Sequence, residues 1–81
     1  MENNIMQNKE MEFKTIVSKY CDMKPEDIKN DMRFREDLGF SSLDFMSFLG
    51  ELEDTFDVEL EEEKVLKIIY VSEALEILES L

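Results

Sequence analysis

Asp37-Leu38-Gly39-Phe40-Ser41-Ser42-Leu43-Asp44 joins a polar connector to the most apolar helical pattern in the chain. Beyond it, Phe45, Phe48, Leu49, Leu52 and Phe56 recur at i, i+3, i+4, i+7 and i+11, one stripe of an amphipathic helix running from Ser42 to about Thr55. Ser41 then falls at the N-cap and Asp44 lies three residues on, the S-x-x-D spacing of a capping box. Ser42 becomes the first helical residue. Two readings of the serine pair stay open. Both serines serve the cap, or Ser41 caps while Ser42 carries a group on its hydroxyl. First-turn N–H groups lack internal partners and lie at the positive end of the helix dipole, so they favour a phosphoryl group there. Asp37 and Asp44 oppose this, which suits a phosphodiester installed by another enzyme better than free phosphate. Gly39 relaxes the backbone just before the helix.

Upstream, Phe13, Ile16, Val17 and Tyr20 share one face of a first helix starting near Lys9, with Met6 a heptad before Phe13. Residues 1–8 are polar and are expected to form a flexible extension, leaving a single domain over residues 9–81. Pro25 suits a first helical position, so a single turn is predicted at Pro25-Glu26-Asp27-Ile28. The connector over residues 22–41 lacks the glycine, serine and proline of a flexible linker. It carries Met23, Ile28, Met32, Phe34 and Leu38 as apolar pegs, which makes it a packed loop.

Downstream, Val58-Glu59-Leu60 reads as extended. A brief helix over residues 61–67 is anchored by Val65, Leu66 and Ile68. A last helix runs from Val71 to about Ser80, with Val71, Leu75 and Leu78 on one face and Ala74 and Ile77 beside them. No strand pair is expected. The fold class is all-α: three main helices and one short helix, with a long packed connector between the first and second. Gly50 costs its helix about 1 kcal/mol against alanine, so either a neighbour approaches closely there or the position is merely tolerated.

Composition narrows the chemistry. The chain of 81 residues has a formal net charge of −12, one cysteine and no histidine. Such charge repels nucleic acid and anionic lipid and favours basic protein partners. Without histidine there is no Ser-His or Cys-His pair and no Cys/His zinc site, so no catalytic residue is assigned and the protein is not expected to be an enzyme. Cys21 reads as a small, partly buried hydrophobe, since no basic neighbour is placed to make a thiolate. No signal peptide and no membrane-spanning run is read, so a reducing, cytoplasmic compartment is expected; the chain is expected to be a monomer.

The charge is one-sided. Residues 1–35 hold seven bases and seven acids, whereas residues 36–81 hold fourteen acids and only Lys64 and Lys67. The run from Glu51 to Glu63 reads as a solvated face or a docking surface. It lacks the ligand spacing of a calcium loop, so no specific metal site is assigned, although weak divalent binding would relieve the repulsion.

The stretch resembles the attachment motif of acyl carrier proteins, D-L-G-x-D-S-L followed by an acidic or polar residue. The likeness extends to Phe34 with Glu36-Asp37-Leu38 (F-x-E-D-L), to Leu52-Glu53-Asp54-Thr55-Phe56 (L-E-x-x-F), and to the segment from Lys67-Ile68 to Leu78. It covers roughly residues 9–80. The resemblance implies a bundle of three long helices and a short third one, with 4′-phosphopantetheine transferred from coenzyme A to Ser42 by a phosphopantetheinyl transferase. The thiol of that arm, not Cys21, would carry acyl groups as thioesters. It further implies that Asp44, Glu51, Glu53 and Asp54 meet basic patches on acyl-loading and acyl-processing enzymes, with Leu43 and Met46 as apolar contacts. The stripe of Phe45, Phe48, Leu49, Leu52 and Phe56 would part to shelter an acyl chain.

The chain departs from the family pattern where Ser41 replaces an aspartate, Ser47 an acid, and Tyr70 a threonine. Phe45 and Phe48 also make the stripe bulkier, and together these departures point to a specialised carrier rather than the housekeeping fatty-acid one, within fatty acid, polyketide or related biosynthesis. Two rivals remain at this level. One is a free-standing peptidyl or aminoacyl carrier with the same arm. The other is an unmodified acidic helical module that binds a basic protein or a cation and makes no use of Ser42.

Overall fold

A computed structural model describes residues 5–81, with side chains from Lys9 onward. Four α-helices follow in order: α1 (Ile5–Ser18), α2 (Ser42–Phe56), α3 (Glu62–Val65) and α4 (Val71–Glu79). No strand forms among the described residues. α1 starts four residues before the position its periodicity indicated. Of the flexible extension expected over residues 1–8, residues 5–8 instead belong to α1, while residues 1–4 and the side chain of Met6 fall outside the described residues.

α1 buries Phe13, Ile16 and Val17, and closes on tightened bonds from Lys19 N–H to Ile16 O and from Tyr20 N–H to Val17 O, both 3.0 Å. α2 answers with Phe45, Phe48, Leu49 and Leu52. Phe48 is fully buried, a contribution of about 1.5–3 kcal/mol. Its ring meets Phe13 edge-on at 5.8 Å and Phe40 at 5.6 Å and 89°. α4 closes the bundle with Val71, Ala74, Leu75 and Leu78. The stripe is shorter than its spacing indicated. Phe56, the last residue of α2, is only half-buried and packs on the edge of the core, because the chain turns away at Asp57, which adopts φ 55°, ψ 52°.

The connector is packed as expected. Its 3-10 turn spans Pro25–Asp27, Ile28, Phe34 and Leu38 are buried, and Met23 and Met32 pack from the side. Phe40, at the unspecified position of the motif and not among the expected pegs, is also buried. Gly39 explains it. With φ +78° this residue takes the left-handed turn that folds the chain back, so Phe40 N–H donates to Phe34 O at 2.9 Å and the two rings meet at 5.2 Å.

The absence of a strand pair needs one qualification. Arg33 and Tyr70 form a single antiparallel bridge, and Phe34 N–H donates to Ile69 O at 3.0 Å. Val71 N–H donates to Met32 O at 2.8 Å and Ser72 N–H to Asn30 O at 2.9 Å. The connector is therefore stitched to the start of α4. α3 is one turn, with Val65 buried and Ile68 half-buried. Leu66, expected as an anchor, is instead 62% exposed, because the four-residue helix turns only one flank inward.

Candidate functional site

The first turn of α2 is assembled as the capping pattern predicts. Ser41 adopts φ −81°, ψ 173°, and its hydroxyl accepts from Asp44 N–H at 3.0 Å. The Asp44 carboxylate accepts from Ser41 N–H at 3.0 Å. With Ser41 and Asp44 occupied in this reciprocal pair, Ser42 takes no part in the cap. Its side chain is exposed. The N–H groups of Ser42 and Leu43 find no partner among the described residues, as expected for the open end of a helix.

Charge around this turn is arranged in a way that residue counting could not reveal. Asp37 accepts from the backbone N–H of Arg33 at 2.7 Å and from its Nε at 3.1 Å. The Arg33 side chain, and then its N–H, hold the Asp37 carboxyl below the usual carboxylate range. Arg33 also pairs with Glu36. Both acids ahead of the helix thus share one arginine, and the trio keeps one net negative charge. Arg35 is left without a carboxylate partner among the described residues, and its Nη2 donates to Ser42 Oγ at 3.0 Å. Nothing in the periodicity marked Arg35; the one available signal was that no further base follows it until Lys64.

A groove of about 330 Å³ opens one turn along α2 from Ser42, lined by Arg33, Phe34, Arg35, Glu36, Phe45, Leu66, Ile68 and Ile69. An exposed hydroxyl, two free N–H groups and an arginine beside an apolar groove suit an ester-linked phosphate that leads into a longer, partly apolar chain.

The remaining predicted residues separate into two groups. Leu43, 80% exposed, and Met46, 54% exposed, lie on the outer face of α2, and Asp54 is exposed further along. Glu51 and Glu53 are engaged within the fold. The Glu51 carboxylate pairs with Lys19 and accepts from Tyr20 OH at 2.8 Å. Lys19, then Tyr20, hold it below the ordinary glutamate range, while burial and then the Glu51 bond push the Tyr20 phenol up. The Glu53 carboxylate accepts from Leu60 N–H at 2.8 Å and so fixes the loop after α2. Gly50 faces open space: a Cβ built there would meet nothing within 4 Å, so the glycine is tolerated and nothing approaches it.

A family model described as a phosphopantetheine attachment site matches residues 12–77. The chain belongs to the acyl carrier protein family. It is 36% identical over 75 residues to an acyl carrier protein of Buchnera aphidicola subsp. Acyrthosiphon pisum (strain 5A), covering 93% of this chain and 94% of that one. It is 32% identical over 69 residues to one from Sulfurovum sp. (strain NBC37-1), covering 85% of this chain and 92% of that one. The fold matches a solved acyl carrier protein from Enterococcus faecalis with a TM-score of 0.79 at 27% identity, over 93% of this chain and 95% of that one. Acyl carrier proteins are carriers and not catalysts, and their cofactor is 4′-phosphopantetheine. No helix among the described residues is long and apolar enough to cross a membrane.

Proposed function

We propose that Ser42 is the attachment point and that the chain carries acyl intermediates as thioesters on the arm bound there. The observation that carries this reading is the division of labour at the start of α2. Ser41 and Asp44 close the cap on each other, leaving the Ser42 hydroxyl exposed with a guanidinium, not a base, as its neighbour. A hydroxyl without a base beside it is not a nucleophile in its own right, so the chain is the substrate of a transferase and not itself an enzyme. In that transfer Ser42 Oγ forms a bond to the phosphorus of coenzyme A that bears the pantetheine. The diphosphate bond breaks, 3′,5′-ADP leaves, and the transferase takes the serine proton. The arm, once attached, supplies a terminal thiol for thioester formation.

The rest of the molecule serves presentation. Leu43, Met46 and Asp54, with the outer part of Asp44, form the face that meets basic docking patches, while Glu51 and Glu53 act mainly by holding α2 in place. The groove beside Phe45 is where the acyl chain enters, and the stripe of Phe45, Phe48, Leu49, Leu52 and Phe56 parts to shelter it. The pathway is fatty acid, polyketide or related biosynthesis, in the cytoplasm.

The test is intact mass after incubation with coenzyme A, magnesium and a promiscuous phosphopantetheinyl transferase. One arm is expected on the wild type and none on Ser42→Ala. A folded wild type that gains no mass overturns the carrier reading, and a gain that survives in Ser42→Ala moves the site to Ser41. Loading the holo protein with acyl donors but not with amino acid donors separates an acyl carrier from a peptidyl carrier.

A further inference from the structure

We infer that Arg35 is a positioning residue for the arm: its guanidinium holds the phosphodiester on Ser42 and directs the chain beyond it over the neighbouring groove. The inference rests on Ser42 being the attachment point.

Three observations converge on Arg35. Its Nη2 already donates to Ser42 Oγ at 3.0 Å, across seven residues of sequence. Esterification removes the hydroxyl proton and makes Oγ a poor acceptor, but it places two anionic oxygens one bond further out. A guanidinium presents several donors in a planar fork, so a small rotation exchanges a neutral acceptor for a charged one. The new contact is a charge-assisted hydrogen bond, roughly twice as strong as the one it replaces.

The second observation is that Arg35 is the cation left over. Arg33 is taken up by Glu36 and Asp37, while Arg35 meets no carboxylate among the described residues. No ion pair must break for it to engage the phosphate. The third is placement. Arg35 lines the groove together with Phe34, Phe45, Leu66 and Ile68, so a phosphate held by Arg35 starts the arm at the groove's edge. The free N–H groups of Ser42 and Leu43 complete the donor set from the other side. In a segment whose other charges are mostly negative, Arg35 offsets the repulsion that Asp37 and Asp44 would exert on the phosphodiester.

The test compares apo and holo protein by NMR, with arginine side chains labelled, for wild type, Arg35→Gln and Arg35→Lys. Attachment is expected to shift the Arg35 Nε–H resonance and slow its exchange with water about tenfold, the factor one charge-assisted hydrogen bond supplies. The phosphorus resonance of wild-type holo protein should differ from that of Arg35→Gln, with Arg35→Lys between them. That difference should collapse near 1 M salt, where an exposed ionic contact is screened. A merely structural arginine would leave the phosphorus signal unmoved. An Arg35 resonance identical in apo and holo protein, or a phosphorus signal identical in wild type and Arg35→Gln, overturns the inference. Mapping the modified peptide separates the two failures. An arm on Ser41 overturns the Ser42 assignment and this inference with it, while an arm on Ser42 beside an unmoved Arg35 overturns only the latter.

Discussion

α2 and α4 start with similar chemistry and end up with opposite roles. At each, the acid at the third helical position reaches back to backbone N–H groups: Asp44 to that of Ser41, and Glu73 to those of Ile69 and Tyr70 at 2.7 and 2.9 Å. The first helical residue makes the difference. At α4 it is Val71, fully buried, and both its N–H and that of Ser72 are given to the connector. At α2 it is Ser42, exposed, and the corresponding N–H groups are left open. A helix start tied into the core stabilises the fold, whereas one whose cap is complete one residue earlier is free to hold a foreign group.

The contrast is easiest to break at Val71. Replacing it with alanine should cost about 2 kcal/mol, from two lost methyl groups and the cavity left behind, read as a lower midpoint in urea. Ser42→Ala should leave that midpoint in place. Equal effects of the two substitutions would erase the distinction between the helix starts.

Ser41→Ala comes next. It removes the hydroxyl that accepts from Asp44 N–H and should cost about 1 kcal/mol while leaving Ser42 open to modification. Loss of modification in a folded Ser41→Ala protein would show that the two serines do not divide the work as their geometry indicates. A gain of similar or smaller size is expected at Gly50, on the open face of α2. Gly50→Ala should raise stability by about 0.5–1 kcal/mol, since its Cβ meets nothing; a lower thermal midpoint would mean that the face is not open.

The smallest effect concerns acid. The N–H groups of Tyr70, then Ile69, hold the Glu73 carboxyl below the ordinary glutamate range. A depressed folded-state pKa contributes stability that is full above the unfolded value and is lost as pH falls through the folded one. Stability should therefore hold from neutral pH down to the ordinary carboxylate range and then fall below it. Glu73→Gln should shallow that final fall, measured by denaturation across pH; an unchanged acid limb would place the loss elsewhere, with Glu51 and its partners Lys19 and Tyr20 the next place to look.

Features set by short range and by helical period are legible in the residues alone. The α2 stripe, the Ser41–Asp44 cap and the pegs Ile28, Phe34 and Leu38 are readable because neighbouring residues impose them on one another through helix geometry and the need to bury apolar surface. The attachment motif was legible for the same reason, being one contiguous stretch. Contacts between residues far apart in the chain appear only in the folded molecule. Glu51 looked like a surface acid until α1 brought Lys19 and Tyr20 to it. Phe40 stands at the motif's unspecified position, and only the left-handed turn at Gly39 folds it against Phe34. Leu66 looked like an anchor until a one-turn helix left it outside. Arg35 was one base among seven until the Arg33–Asp37 turn took up its acidic neighbours and carried it to Ser42. No residue pattern encodes such pairings singly, because they exist only once the connector has packed across the bundle.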